Sequence, residues 1–400
     1  MRLCRAKRSD AVSSKSVNAM LPIHPQPLPD EILSSWMTRL ALENQFPLHT
    51  FYNKLIQFKG EIWNRDTDRF LQPLLLSQLE KYTGQPQATL QHLSLRYYES
   101  ILFDHLSEVG NAPWLIPLGI YHRRRRRFGI HYCPVCLAED RDPYFRRKWR
   151  LAFYVACEKH RCLMESGCPR CSAPVTYYRL GMGRSFEIKK YKLSTCASCG
   201  YNMGWSKPRQ LHSADPQTEN ILFDLLQTFD RQGWHPPVPS AYSALLFFKG
   251  LITLVRLLGR RSVRQRLEPL ASEYQLPNQP NRHCEFEISS IEVRSMLLMA
   301  ALKLIQNWPD RFVEVCQTTG LTNSRITGDL LNEPFWLSQT IRCNLSRPNT
   351  ALPVEEAKSI HQYLQKHNLP FTKINIQRTL SCSRRYATRI METLHREQTE

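Results

Sequence analysis

Four pairs of potential metal ligands fall within one stretch of this 400-residue chain: Cys133-Pro-Val-Cys136, Cys157-Glu-Lys-His160, Cys168-Pro-Arg-Cys171 and Cys196-Ala-Ser-Cys199. Two ligands separated by two residues can be aimed at one ion by a single tight turn. A tetrahedral structural site then needs a second pair from elsewhere. Pairing in chain order gives one site of three cysteines and a histidine, and a second of four cysteines. Eight ligands fill two closed zinc sites and leave no coordination position for a catalytic water. A single C-x-x-C could be a pair of ordinary buried cysteines; four pairs in this spacing argue for metal. Cys162 falls between the pairs and reads as a buried thiol.

The segments between the pairs must position them. Val175 to Leu180 and Phe186 to Ile188 flank Gly181 and Gly183, which predicts a zinc-ribbon hairpin of two strands around a glycine turn. The gap of the first site carries Tyr144, Phe145, Trp149, Leu151, Phe153, Tyr154 and Val155, enough bulk for a small core. A module of this size rarely buries enough apolar surface to fold alone. Zinc supplies on the order of 10 kcal/mol in isolated fingers, which covers that deficit.

The thirteen cysteines do not read as a disulfide scaffold, because most sit in metal pairs and no signal peptide precedes them. With no membrane-length apolar run either, the expectation is a reducing, cytoplasmic setting without a membrane partner. A formal charge of +19 points to polyanionic partners, nucleic acid first.

In chain order, residues 1–20 are basic, lack periodicity and are expected to be disordered. Residues 21–110 read as a helical domain: Asp30 and Glu31 open a helix with Ile32, Leu33, Trp36, Met37, Leu40 and Ala41 at helical spacing. Further helices are predicted near 48–58, 69–81 and 88–97. Residues 111–205 form the tandem metal module. Its leading segment holds Arg123, Arg124, Arg125, Arg126 and Arg127, a run that cannot be neutralised in a core and so stays solvated or meets phosphates. Residues 206–345 form a second helical region, with helices near 220–229, 245–258 and 291–305. Residues 346–400 follow helix-turn-helix grammar. There Ser383 caps a last helix whose Tyr386, Ile390 and Leu394 pack inward, while Arg384, Arg385, Thr388 and Arg389 are the candidate nucleic-acid contacts. The fold class is therefore mainly α around a small zinc-ribbon-like core.

No phosphate loop, nucleophile elbow or H-E-x-x-H helix occurs, and no carboxylate triad stands out, so an enzyme is the weaker class. The chain resembles the TniQ/TnsD family of transposon target-selection proteins. The resemblance rests on Leu28-Pro-Asp-Glu-Ile-Leu-Ser-Ser-Trp36 with Arg39-Leu40, then Cys133-Pro-x-Cys136, Tyr144, Trp149, Cys157-x-x-His160, Leu163 and Cys168-Pro-x-Cys171. It implies a helical N-terminal domain with helix-turn-helix character, a tandem zinc core and a helical C-terminal domain. It also implies a role: marking an insertion site and recruiting the transposon's AAA+ ATPase regulator, which engages the transposase. Some members bind attachment-site DNA; others are adaptors on RNA-guided CRISPR complexes and form head-to-tail dimers. A different class fits the terminal helices as well, a freestanding zinc-containing helix-turn-helix transcriptional regulator. A zinc-dependent nuclease or recombinase subunit is a third class, against which the closed ligand sets count.

Overall fold

A computed structural model describes residues 20–121, 124–125, 127–181, 191–211, 215–276, 285–327, 333–345 and 354–399. The disorder predicted for residues 1–20 falls, Met20 apart, outside these residues, as does the second strand predicted over Phe186 to Ile188.

The N-terminal part is helical, as its periodicity predicts. Helix α1 (Leu33–Glu43) is buried all round over residues 33–41: Leu33, Trp36, Met37, Leu40 and Ala41 enter the apolar core, and Ser34, Ser35, Thr38 and Arg39 meet buried polar partners. A short α2 (Leu48–Thr50) runs on as a π-helical turn, Phe51–Leu55. Helices α3 (Pro73–Thr83) and α4 (Gln87–His92) follow, joined by residues 84–86. Pro73 stands in the first turn of α3, where its missing N–H costs nothing. Gly84 ends the helix with φ of 70°, a left-handed conformation that favours glycine.

Asp30 and Glu31 do not open α1, contrary to the sequence expectation. Asp30 has φ of 55° in a turn ahead of the helix, and Glu31 is fully buried. Both acids are taken up by arginines, Asp30 by Arg147 and Glu31 by Arg39, rather than by the helix dipole.

Strands β1 (Ile120–Tyr121) and β2 (Arg124–Arg125) pair antiparallel, with Ile120 opposite Arg125. Helix α5 (Pro134–Glu139) opens the metal module. Beyond it come α6 (Pro216–Thr228), α7 (Ala244–Gly259), α8 (Arg261–Arg264), α9 (Glu268–Glu273), α10 (Ile291–Ile305), α11 (Asp310–Thr318), α12 (Asn323–Thr327) and α13 (Phe335–Leu345). Helix α10 packs on α6 and α7, and Ser243 and Ser290 cap α7 and α10 by accepting from the N–H three residues on. Gly250 lets the Trp336 ring lie against α7; a Cβ there would come within 2.0 Å of Trp336 Cζ2. One apolar core runs from Leu21 to Leu345 and includes the metal module.

The last three helices, α14 (Val354–Lys366), α15 (Lys373–Leu380) and α16 (Arg384–Thr399), share a separate core of Ala357, Leu364, Ile376, Ala387 and Ile390, with Cys343 of α13 at its edge. Ser381 turns the chain with φ of 47°, and Ser383 Oγ accepts from Tyr386 N at 3.3 Å. The predicted turn and serine cap are both there.

Candidate metal centres

Three of the four ligand pairs are built on one repeated turn. Cys157, Cys168 and Cys196 each donate their N–H to the carbonyl five residues on, at 2.8, 2.9 and 2.8 Å. Each also accepts, through its own carbonyl, from the N–H four residues on, at 2.8, 2.8 and 2.9 Å. The residue after each second ligand is left-handed: Arg161 (φ 48°), Ser172 (φ 56°) and Gly200 (φ 77°). Single antiparallel bridges close the turns outside the ligands, at Ala156–Leu163, Gly167–Pro174 and Thr195–Asn202. The first pair differs. Cys133 is the N-cap of α5, with Pro134 behind it, and its Sγ accepts from Cys136 N at 3.4 Å.

The pairs meet in two clusters, Cys133, Cys136, Cys157 and His160, and Cys168, Cys171, Cys196 and Cys199. Within each, the ligand atoms lie within 4.8 Å of one another. His160 Nδ1 stands 3.4 Å from Cys133 Sγ, 3.4 Å from Cys136 Sγ and 3.5 Å from Cys157 Sγ. Sulfur pairs lie 3.7 Å apart for Cys136–Cys157, 3.6 Å for Cys168–Cys199 and 3.7 Å for Cys171–Cys196. A tetrahedral ion with ~2.3 Å bonds to sulfur and ~2.0 Å to nitrogen requires edges of ~3.8 and ~3.5 Å. The donor sets fit such an ion in both chemistry and size. Outside the first set, Glu139 Oε2 lies 3.0 Å from His160 Nε2, the arrangement that fixes a ligating imidazole with its other nitrogen towards the ion. Cys162 Sγ sits 3.6 Å from Cys133 Sγ at the edge of this cluster, and is buried.

The gap of the second site does not form the first strand that its residues predict. Tyr177–Arg179 is a 3₁₀ turn, and Tyr177 and Tyr178 are buried against the N-terminal helices. Tyr178 stacks on Trp63 at 5.2 Å, and the Tyr177 hydroxyl lies 2.5 Å from Ser34 Oγ. Burial of these two rings in the main core outweighs the alternation that suggested a hairpin.

That contact belongs to a buried polar network that joins α1 to the metal module. Asp68 accepts from Ser34 N at 2.7 Å and Ser34 Oγ at 2.8 Å, and from Arg150 Nη1 at 3.2 Å. Arg150 also donates to both oxygens of Asp66, at 3.0 and 2.6 Å. Burial raises the pKa of Asp68 against the lowering effect of Arg150. Next to it, Ile32 N donates to Phe145 O at 2.9 Å, Phe145 N donates to Ser35 Oγ at 3.0 Å, and Arg147 Nε donates to Asp30 Oδ1 at 3.1 Å. Sequence reasoning missed Asp68 and Arg150. The available signal was an arginine inside the apolar run Trp149-Arg-Leu-Ala-Phe153, where an unpaired charge would be costly.

A second buried arginine ties the module to α10. Arg294 donates to Ala152 O at 2.9 Å and lies 3.4 Å from His131 Nδ1. Burial pushes its guanidinium down to about 10, with Glu292 and Glu287 opposing that shift. Burial, then Arg294 and Arg150, hold His131 well below the ordinary histidine range, so it is a neutral acceptor.

Of the candidate nucleic-acid contacts, Arg123 and Arg126 lie outside the described residues. Arg124 and Arg125 form β2, and Arg127 is exposed just after it. On α16, Arg384 and Arg385 are exposed. Thr388 and Arg389 are half-buried. They follow buried Tyr386 and Ala387 on the helix flank, and the Thr388 hydroxyl donates to Arg384 O at 2.9 Å. The two arginine groups lie on separate elements. Among the described residues, no helix is long and apolar enough to cross a membrane.

Comparison with known proteins gives one family. Residues 22–164 match the model described as TniQ, which takes in α1 and the whole first metal cluster and stops before the second. No curated protein matches the chain.

Proposed function

The chain carries a TniQ domain over residues 22–164, and on that basis we propose that it is a non-enzymatic target-selection adaptor for DNA transposition. It links target DNA, or an RNA-guided CRISPR targeting complex, to the transposon's AAA+ ATPase regulator and through it to the transposase. It works in the cytoplasm, and a homodimer is one assembly open to it. Its own DNA contact supports targeting rather than reading the site alone.

Each four-donor cluster holds one zinc ion, two per chain. The ions are structural, supplying folding free energy on the order of 10 kcal/mol each in comparable small modules. Cys133, Cys136, Cys157 and His160 hold one, and Cys168, Cys171, Cys196 and Cys199 the other. Four protein donors complete a tetrahedral shell, so neither ion has a position for substrate.

The TniQ match carries this reading. Residues 28–40 and Cys133–His160, both inside that match, are joined by the Asp30–Arg147 and Ser35–Phe145 contacts. The test is an insertion assay in cells that carry the transposase, the ATPase and marked transposon ends. Targeted insertion should require this chain, while the pure protein neither hydrolyses ATP nor cuts DNA. Targeted insertion at full frequency without the chain, or metal-dependent strand cleavage by the repurified protein, would overturn the proposal.

A further inference from the structure

Beside the base of the β1–β2 hairpin lies an open cavity of about 610 Å³, lined among others by Asn64, Arg65, Asn111, Gly119 and Arg127. Its charge is unbalanced. Two acids, Asp66 and Glu108, line it as well, but both are already engaged: Arg150 grips Asp66, and Arg96 pairs with Glu108 at 3.0 Å. Buried Arg69, in the wall, spends its donors on the carbonyls of Ser107, Val109 and Gly110. Arg65 and Arg127 are both exposed, and neither has a carboxylate partner among the described residues. The Arg65 guanidinium sits 5.0 Å over the Phe70 ring, which orients it without neutralising it.

The backbone holds Arg127 at this mouth. Gly119 is left-handed (φ 56°), and a Cβ there would come within 2.7 Å of Arg127 Cγ, so the arginine stem lies across the glycine. Gly129 makes a similar approach to Leu118. Phe128 then seats its ring on Gly167, where a Cβ would come within 2.7 Å of Cε1, beside the Cys168–Cys171 turn of the second metal cluster. The hairpin base is thus closed by two glycines and anchored to a metal knuckle.

We propose that this cavity is an anion site that takes a phosphodiester of a nucleic-acid backbone between Arg65 and Arg127, with Asn64 and Asn111 as further donors. The site rests on the targeting reading above and deepens it by naming a contact. It positions a backbone and reads no sequence.

The test uses the full chain with its metal and two 30-base-pair duplexes of unrelated sequence, over a salt series. Each phosphate neutralised on a duplex contributes ~0.9 to the slope of log K against log salt. Arg65→Gln/Arg127→Gln should therefore flatten the slope by ~0.9 on both duplexes alike. Arg65→Lys/Arg127→Lys should keep it, and melting and metal content should match wild type in each case. If the double variant does not fold, Arg65→Gln alone, at an exposed position, should flatten the slope by part of that ~0.9 on both duplexes. Titration with ATP in the absence of DNA separates a free phosphate ligand from a backbone. Saturable ATP binding lost in the glutamine variant, with the slope unchanged, would assign the cavity to a free nucleotide and overturn the proposal. An unchanged slope without ATP binding, or a wild type that binds neither duplex, would overturn it too. A chain that still captures the ATPase while its slope is unchanged fails here alone, leaving the adaptor reading standing.

Discussion

Glu31 and Arg39 face each other across the first two turns of α1 and close through two bonds, Nε to Oε1 at 3.1 Å and Nη2 to Oε2 at 2.8 Å. The Glu31 side chain has no exposure and that of Arg39 only 8%. Glu31 also accepts from Leu28 N at 3.0 Å and Ser35 Oγ at 3.1 Å, so the carboxylate organises the chain entering the helix.

Breaking a buried pair by removing one partner leaves an uncompensated charge, which typically costs 3–5 kcal/mol. Arg39→Met should lower stability by about that much, read as a lower urea midpoint at unchanged slope. Glu43, the other acid on Arg39, is more exposed, and Glu43→Gln should cost under ~1 kcal/mol.

The metal clusters predict a count. Cys133→Ser and Cys196→Ser should each reduce bound zinc from two ions to one per chain, measured by elemental analysis on folded protein. Cys162→Ala should keep both ions, because the four-donor set is complete without it. A Cys162→Ala protein with one ion would mean that this thiol, not a paired residue, completes the first site.

Acid stability has a named contributor. Asp215 caps α6 and its carboxylate meets Lys303 at 2.6 Å and Gln306 at 3.1 Å. Lys303, followed by the hydrogen bonds of Thr218 and Gln306, holds its pKa well below the usual range. Its contribution is therefore fully present above the unfolded value of ~3.9 and is lost as pH falls towards the lower folded value. The stability difference between wild type and Asp215→Asn should be constant from pH 5 to 7 and shrink below about pH 4.

The terminal unit separates packing from binding. Ile390 is fully buried, and Ile390→Ala should cost about 2–5 kcal/mol. Arg384→Ala and Arg385→Ala, at exposed positions, should each change stability by less than ~0.5 kcal/mol. If these arginines meet phosphates, DNA affinity should fall equally on target and scrambled duplexes and become less salt-sensitive.

Local pattern was enough for much of this molecule. The helix at Ile291–Ile305, the capped helix after Ser383 and the grouping of eight ligands into two sets all follow from spacing that is visible in the chain. What could not be read was tertiary. Asp30 and Glu31 look like helix-opening acids, yet Arg147, more than a hundred positions later, claims the first. Alternation from Val175 to Leu180 fits a strand, but the partners of Tyr177 and Tyr178 are Ser34 and Trp63 of the N-terminal part. Asp68 carries no local sign of burial, and the apolar run around Arg150 signals burial without naming a partner; only their mutual placement neutralises them.

The adaptor role is tested most directly by capture of the tagged full chain from cells that carry the complete transposon. The AAA+ ATPase should co-purify in stoichiometric amount, and Cys133→Ser, which unseats the module held by α1, should lose it. Capture of zinc-loaded wild-type protein with no ATPase, under conditions where transposition proceeds, would contradict the account.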